Sequence, residues 1–99
     1  MSETYTCSLW TVPSGREDEF VPAFRAFAAA ADELGAREGF IVQDQDDASR
    51  FIVVRRWESI EAVERWQRAD RRRREAGEAL AQLAPEAQQA YLCTKVADL

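Results

Sequence analysis

Tryptophan and arginine side chains near the middle of the sequence are the residues best suited to chemistry. Trp66 offers a flat indole for stacking and a single N–H that can donate to an oxygen. Arg55 and Arg56 can hold an anionic oxygen by charge-assisted hydrogen bonds. The 99-residue chain contains no histidine, which removes the commonest general base and the commonest metal ligand. The alternative role for Trp66 is that of a core residue that closes its helix on a sheet.

The elements that must position these side chains are a strand and the helix behind it. Residues 51–57 are rich in β-branched and aromatic side chains, which predicts a strand that ends at Trp57. Its pleat puts Arg55 and Trp57 on one face and Arg56 on the other. Ser59 is a plausible N-cap for a helix that carries Trp66. A bend in this helical region is expected near Asp70.

Three further strands and one further helix are predicted around this pair. The strands span residues 5–12, 39–45 and 90–96. A capping box at residues 14–17 predicts the start of the first helix, and Gly35 is placed to be its left-handed C-terminal cap. Phenylalanines at helical spacing, with Phe24 among them, favour core packing over a ligand-binding box.

The order strand, helix, strand, strand, helix, strand predicts an α+β fold. Two such crossovers sharing a hairpin give the ferredoxin-like split βαβ plan, a four-stranded antiparallel sheet with its helices on one face. Residues 1–99 form a single domain of this kind. Its first and last strands are neighbours, so Cys7 and Cys93 are expected to face one another as reduced thiols. Neither strand face is polar, which predicts a homodimer that packs sheet to sheet.

The composition excludes several classes of function. A net charge of −5 argues against a general nucleic-acid binder. The two cysteines have no spacing typical of a zinc or thioredoxin-like site, and no metal site is expected. The arginines at 71–74 are interleaved with glutamates, which favours a solvated helix face over a patch for an anionic partner. The sequence shows neither a membrane span nor a signal peptide, so we expect a cytoplasmic protein that contacts neither membrane nor nucleic acid.

The stretch from Phe51 to Ala62, FIVVRRWESIEA, resembles the strand-then-helix signature of the antibiotic biosynthesis monooxygenase family. Its members are small dimeric α+β barrel proteins. The resemblance implies oxidation of phenolic polycyclic, aromatic-polyketide-type substrates to quinones with molecular oxygen and without metal, flavin or haem. The substrate itself would supply the electrons, so no cofactor is expected. It also implies a pocket between the helices and the sheet, with Trp66 at the family's functional position.

The resemblance organises the candidate site residues. Trp66, Arg55 and Arg56 are predicted to be catalytic, the arginines by holding a phenolate. The residues predicted to bind the substrate are Trp57, Tyr5, Tyr91, Phe24 and Phe51.

The sequence also departs from the family pattern. Members often carry a glutamate where this chain has Arg55-Arg56, and some active members carry an asparagine where it has Ala62. The missing histidines argue against haem degradation, the activity of another branch of the superfamily. Two alternatives therefore stand beside the monooxygenase: a polyketide cyclase on the same barrel, and a non-enzymatic module that binds small molecules or dimerises.

Overall fold

The computed structural model of the protein describes residues 3–99, which form one sheet covered by helices. Short 3₁₀ turns at Glu17–Glu19 and Asp32–Leu34 flank the first helix. The strands and helices, in chain order, are β1 Thr4–Thr11, α1 Phe20–Ala29, β2 Ala36–Gln43, β3 Arg50–Trp57, α2 Ile60–Arg68, α3 Asp70–Ala76, α4 Glu78–Leu83 and β4 Gln89–Thr94. Among residues 3–99, no helix is long and apolar enough to cross a membrane.

The four strands form an antiparallel sheet in the order β2-β3-β1-β4. This is the predicted ferredoxin-like arrangement, with the first and last strands as neighbours. Strand β1 pairs with β3 so that Thr6 lies opposite Arg55 and Tyr5 lies opposite Arg56. Because side chains alternate along a strand, this register gives the sheet a helix side that carries Arg55 and an outer side that carries Arg56.

The cysteines lie on the outer side but are not directly opposite each other, as the sequence had suggested. Cys7 pairs with Tyr91, and Cys93 pairs with Tyr5. The two thiols therefore occupy diagonal positions on the same face, and both are free. The expected direct opposition was therefore wrong by two residues of register.

Two hydrophobic clusters fill the space between the helices and the sheet. One gathers around Trp10, Phe20 and Phe51 under α1 and α4. The other surrounds Trp57 and Trp66 under α2. The side chain of Phe27, on α1, packs against both clusters and so joins them.

Several element boundaries differ from the prediction for local reasons. The capping box does not form: the carboxylate of Glu17 accepts the backbone N–H of Gly15 at 2.6 Å, and α1 begins only at Phe20. Strand β2 begins at Ala36 rather than residue 39, because an irregularity between Ala36 and Gly39 lets the pairing with β3 continue to Trp57. Gly35 does adopt the left-handed conformation, with φ of 109°, but it caps the 3₁₀ turn Asp32–Leu34, because α1 already ends at Ala29.

The predicted bend near Asp70 is present as a break between α2 and α3. Ala69 leaves the helical region with ψ of 55°. A second break at Gly77 separates α3 from α4. The second helical region is therefore three short helices instead of one straight rod.

Candidate active site

A cavity of ≈ 650 Å³ lies between the helices and the helix side of the sheet. This volume is typical of small-molecule sites. Aromatic side chains form much of its wall: Trp10, Phe24, Phe27, Trp57 and Trp66. Polar and charged side chains from α2, α3 and the segment before β4 complete it: Gln67, Asp70, Arg73, Arg74 and Glu86. A more open depression outside α3 is lined only by small and charged residues, so the cavity is the better site for an aromatic ligand.

Trp66 occupies the helix wall of this cavity. The hydroxyl of Ser59 accepts the N–H of Ala62 at 3.1 Å, so the predicted N-cap fixes where α2 begins. Two turns later Trp66 points toward α1, and its ring meets Phe27 edge-on at a centroid distance of 5.2 Å. The residue is 9% exposed. This placement gives it both a packing role and a face on the cavity.

The indole N–H groups of the three tryptophans differ in their partners. Trp10 donates to the hydroxyl of Ser8 at 2.8 Å, and Trp57 donates to the hydroxyl of Thr6 at 2.9 Å. The N–H of Trp66 has no acceptor within residues 3–99. Its nitrogen is also not one of the buried polar atoms that lack a partner in that range, so it remains accessible. The Trp66 N–H is therefore a donor available to a ligand oxygen.

Arg55 lines the cavity, but its guanidinium is engaged by the protein. Its Nε donates to the carbonyl of Arg37 and its Nη1 to the carbonyl of Ala28, each at 2.8 Å. Its Nη2 forms an ion pair with the carboxylate of Asp32. These bonds tie the end of α1 to strands β2 and β3. The arrangement gives Arg55 a structural role, and only its remaining N–H groups could reach a ligand.

Arg56 lies on the outer side of the sheet, away from the cavity. Its guanidinium holds the carboxylate of Glu38 with two bonds, at 2.6 and 2.9 Å. The hydrogen bond from Arg56 is the largest cause that lowers the pKa of Glu38 to about 2, and the same bond raises the pKa of Arg56. Arg56 therefore lies outside the catalytic site for which it was predicted, because adjacent residues of a strand point to opposite faces.

Two of the residues predicted to bind the substrate line the cavity. These are Phe24 on α1 and Trp57 at the end of β3. Phe51 lies deeper: it stacks on Phe20 at a centroid distance of 4.4 Å and is 4% exposed. It supports the cavity wall as part of the core and is not one of the cavity-lining residues.

The two tyrosines proposed from the sequence lie on the outer side of the sheet. The hydroxyl of Tyr5 donates to the carboxylate of Glu3, and that of Tyr91 donates to the amide oxygen of Gln89. Desolvation, followed by the bond to Glu3, raises the pKa of Tyr5. Because they project from the opposite face, neither tyrosine joins Trp66 and Trp57 within one chain.

Ala62, the position at which some family members carry asparagine, does not line the cavity. Ala62 is completely buried. A Cβ placed on Gly35 would lie only 2.7 Å from the Cβ of Ala62. The close approach of the turn at Gly35 leaves little room for a larger side chain at position 62.

Sequence reasoning missed Arg73, which it assigned to a solvated charge run. The side chain lines the cavity, and its guanidinium carbon lies 5.8 Å from the centre of the Trp66 ring. The available signal was the spacing of seven residues from Trp66, which is two helical turns. The break at Ala69 made that spacing hard to use. Within residues 3–99, no three His, Cys, Asp or Glu side chains group closely enough to hold a metal ion.

Solved structures with the same fold cover almost the whole chain. A protein from Chloroflexus aurantiacus J-10-fl superposes with a TM-score of 0.76 at 14% identity, covering 99% of this chain and 97% of that one. A protein from Pseudomonas aeruginosa gives 0.72 at 18% identity, with 98% and 97% covered. SnoaB, a cofactor-independent oxygenase from Streptomyces nogalater, gives 0.74 at 19% identity, with 100% and 96% covered. At these identities the similarity shows the fold alone.

The sequence itself carries the family assignment. No curated protein matches it significantly. The family model for antibiotic biosynthesis monooxygenases matches residues 8–76, well over half of the chain, from the second half of β1 through α3. The chain therefore belongs to the antibiotic biosynthesis monooxygenase family.

Proposed function

We propose that this protein is a cofactor-independent monooxygenase that oxidises a phenolic polycyclic substrate to a quinone in the cavity between helices and sheet. The observation that carries the proposal is Trp66, which lines the aromatic wall of that cavity and whose N–H has no acceptor among residues 3–99. Membership of the family and the shared fold with the Streptomyces nogalater oxygenase support it.

The reaction needs no redox group from the protein when the substrate is electron-rich. For an anthrone-type substrate, O₂ supplies one oxygen atom to a new ring carbonyl. The second oxygen leaves as water with the two hydrogens of the ring methylene. The deprotonated substrate provides the electrons that reduce O₂, so the protein's task is to hold the ring system, stabilise its anion and exclude water.

The side chains divide this task between them. Trp57 and Phe24 contact the flat ring system, and the Trp66 N–H donates to the oxygen on which negative charge develops. Arg55 holds α1 against β2 and β3 and acts as a positioning residue, since three of its nitrogens already bond to protein acceptors. Phe51 supports the wall from beneath.

Aerobic and anaerobic incubation with anthrone- and naphthacenone-type phenols tests the proposal, with absorbance and oxygen uptake as readouts. We expect oxygen-dependent quinone formation without any added cofactor. Trp66→Phe keeps an aromatic ring but removes the donor, so its rate should fall by about 10²-fold. The matched control is Tyr91→Phe, which removes a hydroxyl on the outer side and should leave the rate unchanged.

The alternatives predict different results in the same experiment. Ring closure of a poly-β-ketone at equal rates with and without oxygen would identify a cyclase. Binding of the phenols with neither oxygen uptake nor product would identify a binding module. Either outcome would contradict the monooxygenase proposal.

We also propose a homodimer that packs through the outer side of the sheet, and a cytoplasmic location. Exposed apolar side chains on that side, Phe40 and Val42 among them, support the dimer. The free thiols of Cys7 and Cys93 support a reducing compartment.

A further inference from the structure

The side chain of Arg73 lines the cavity and, among the arginines of α3, is the one that lies over the Trp66 ring. Its Nη1 donates to the carbonyl of Gln67 at 3.0 Å. Its guanidinium carbon lies 5.8 Å from the centre of the Trp66 ring. Its Nε is buried and has no hydrogen-bond partner, and it is the one such side-chain atom within residues 3–99. A buried donor without an acceptor is costly, which points to a ligand that supplies the acceptor.

Two donors without an acceptor among residues 3–99 therefore belong to residues that line the same cavity. Trp66 forms part of the aromatic wall, and the buried Nε of Arg73 belongs to the guanidinium that lies over that indole. The nearest acid to Arg73 is Asp70, whose carboxylate lies 3.7 Å from Nη1 and is largely exposed. An exposed pair of this kind is weak, so a ligand anion can compete with it.

One cation that lines the cavity, Arg74, has no carboxylate partner among residues 3–99 and can attract an anion. The chain as a whole carries a net charge of −5. The cavity lining, in contrast, contains Arg55, Arg73 and Arg74 against the carboxylates of Asp70 and Glu86. The buried part of the wall is aromatic, while Asp70, Arg74 and Glu86 are exposed at its edge.

We propose that the cavity selects an aromatic carboxylic acid, with its ring system against Trp66 and its carboxylate on the guanidinium of Arg73. This inference deepens the proposed function and rests on the same cavity. A phenol has a pKa near 10 and is neutral at pH 7, whereas a carboxylic acid is ionised there. Because a guanidinium matches a carboxylate with two parallel charge-assisted hydrogen bonds, the carboxylate is the group that Arg73 binds best.

Two simple probes separate the contribution of the ring from that of the charge. They are 1-naphthoate and 1-naphthol, which share a ring system but differ in charge at pH 7. Dissociation constants come from titration calorimetry at low salt. We expect the wild-type protein to bind 1-naphthoate at least about tenfold more tightly than 1-naphthol. This preference should decrease as salt is added.

Variants at α3 assign the preference to a residue. Arg73→Met keeps a long apolar stem and should remove the preference while leaving the affinity for 1-naphthol within about twofold of the wild type. Arg73→Lys restores a charge without the planar fork and should recover part of the preference. The matched control is Arg71→Met on the same helix, because Arg71 is exposed and pairs with Glu75; it should retain the full preference.

Equal affinities for the two probes in the wild type would overturn the proposal. So would a preference that survives unchanged in Arg73→Met. If Arg73→Met does not fold, the wild-type preference and its change in Arg73→Lys decide the question. Binding needs no oxygen, so a carboxylate preference without oxygen uptake from any phenolic acid would keep this inference and contradict the proposed monooxygenase. Oxygen uptake with no carboxylate preference would contradict this inference and keep the proposed monooxygenase.

Discussion

At the scale of single residues, the alternation of side chains along β3 decides which groups can take part in chemistry. Arg55 and Arg56 are adjacent and chemically identical, yet one borders the cavity and the other binds Glu38 on the outer side. The sequence predicted that they point to opposite faces, because a strand has a period of two. It could not tell which face lies under the helices, since both faces carry apolar residues. The three-dimensional packing of α1 and α2 settles that choice.

The free donor of Trp66 leads to a prediction about stability. Trp57→Phe removes the partner of the Thr6 hydroxyl, whereas Trp66→Phe removes a donor that bonds to no acceptor in residues 3–99. Both changes remove similar volume from the same cluster. We therefore expect Trp57→Phe to lower the free energy of unfolding by about 1 kcal/mol more than Trp66→Phe does. Urea denaturation of both variants measures the difference, and equal losses would mean that the Trp66 N–H is bonded in the free protein.

The ion pair between Arg56 and Glu38 predicts a pH dependence of stability. The pKa of Glu38 falls from its ordinary 4.5 to about 2 in the folded protein, chiefly because Arg56 donates to it. The stabilisation is therefore fully present above pH 4.5 and is lost as the pH falls toward 2. We expect the thermal midpoint of the wild type to drop more steeply over this range than that of Glu38→Gln.

The control for this pH experiment is Glu61→Gln. Glu61 is exposed on α2 and forms no ion pair with the residues that the structure describes. This variant should keep the wild-type slope between pH 4.5 and 2. A Glu38→Gln slope identical to that of the wild type would show that the pair does not stabilise the folded state.

At the scale of elements, the sequence predicted the kind and order of each strand and helix better than their ends. The hydrophobic period is carried by many residues, so it survives errors at any one of them. Boundaries depend on single contacts, such as the irregular pairing at Gly39 that lets β2 begin three residues early. The lining of the cavity followed the same pattern. Trp66 and Trp57 lie on regular elements and line it, as predicted, whereas Arg73 lies beyond the break at Ala69 and was not predicted to line it.

The junction of α3 and α4 provides a prediction for an element. A Cβ at Gly77 would lie 2.8 Å from the ring of Phe27 and 2.9 Å from the carbonyl of Arg73. Both neighbours belong to cavity-lining residues. Gly77→Ala should therefore destabilise the fold by about 1–3 kcal/mol through overpacking and weaken the binding of 1-naphthoate, because Phe27 or α3 must move.

Urea denaturation and calorimetric titration measure the two effects of Gly77→Ala. The control is Glu78→Ala, one residue along the chain and exposed, which should change stability by no more than about 0.5 kcal/mol. Unchanged stability and binding in Gly77→Ala would show that the α3–α4 junction yields without affecting the cavity.

At the scale of the whole molecule, the two sides of the sheet differ in what covers them. The helices bury the side that carries Trp10, Phe51 and Trp57. The outer side keeps large apolar groups exposed, with Phe40 55% and Tyr91 54% accessible. An apolar face of this kind is typical of an interface. The proposed homodimer would cover it and would leave the cavity on the opposite side of each sheet free for a ligand.

The mass in solution tests this arrangement. Light scattering at micromolar concentration should give twice the 11.3 kDa of one chain. Phe40→Glu places a charge on the outer side at a position that is already exposed, so it should leave the fold intact while shifting the protein to the monomer.

Ile60→Glu is the matched control, because Ile60 is 46% exposed but lies at the start of α2 on the other side of the sheet. This variant should remain dimeric, since an added charge dissociates the dimer only where it becomes buried. A monomeric wild type would contradict the dimer. Dissociation of both variants would show that the interface is not confined to the outer side.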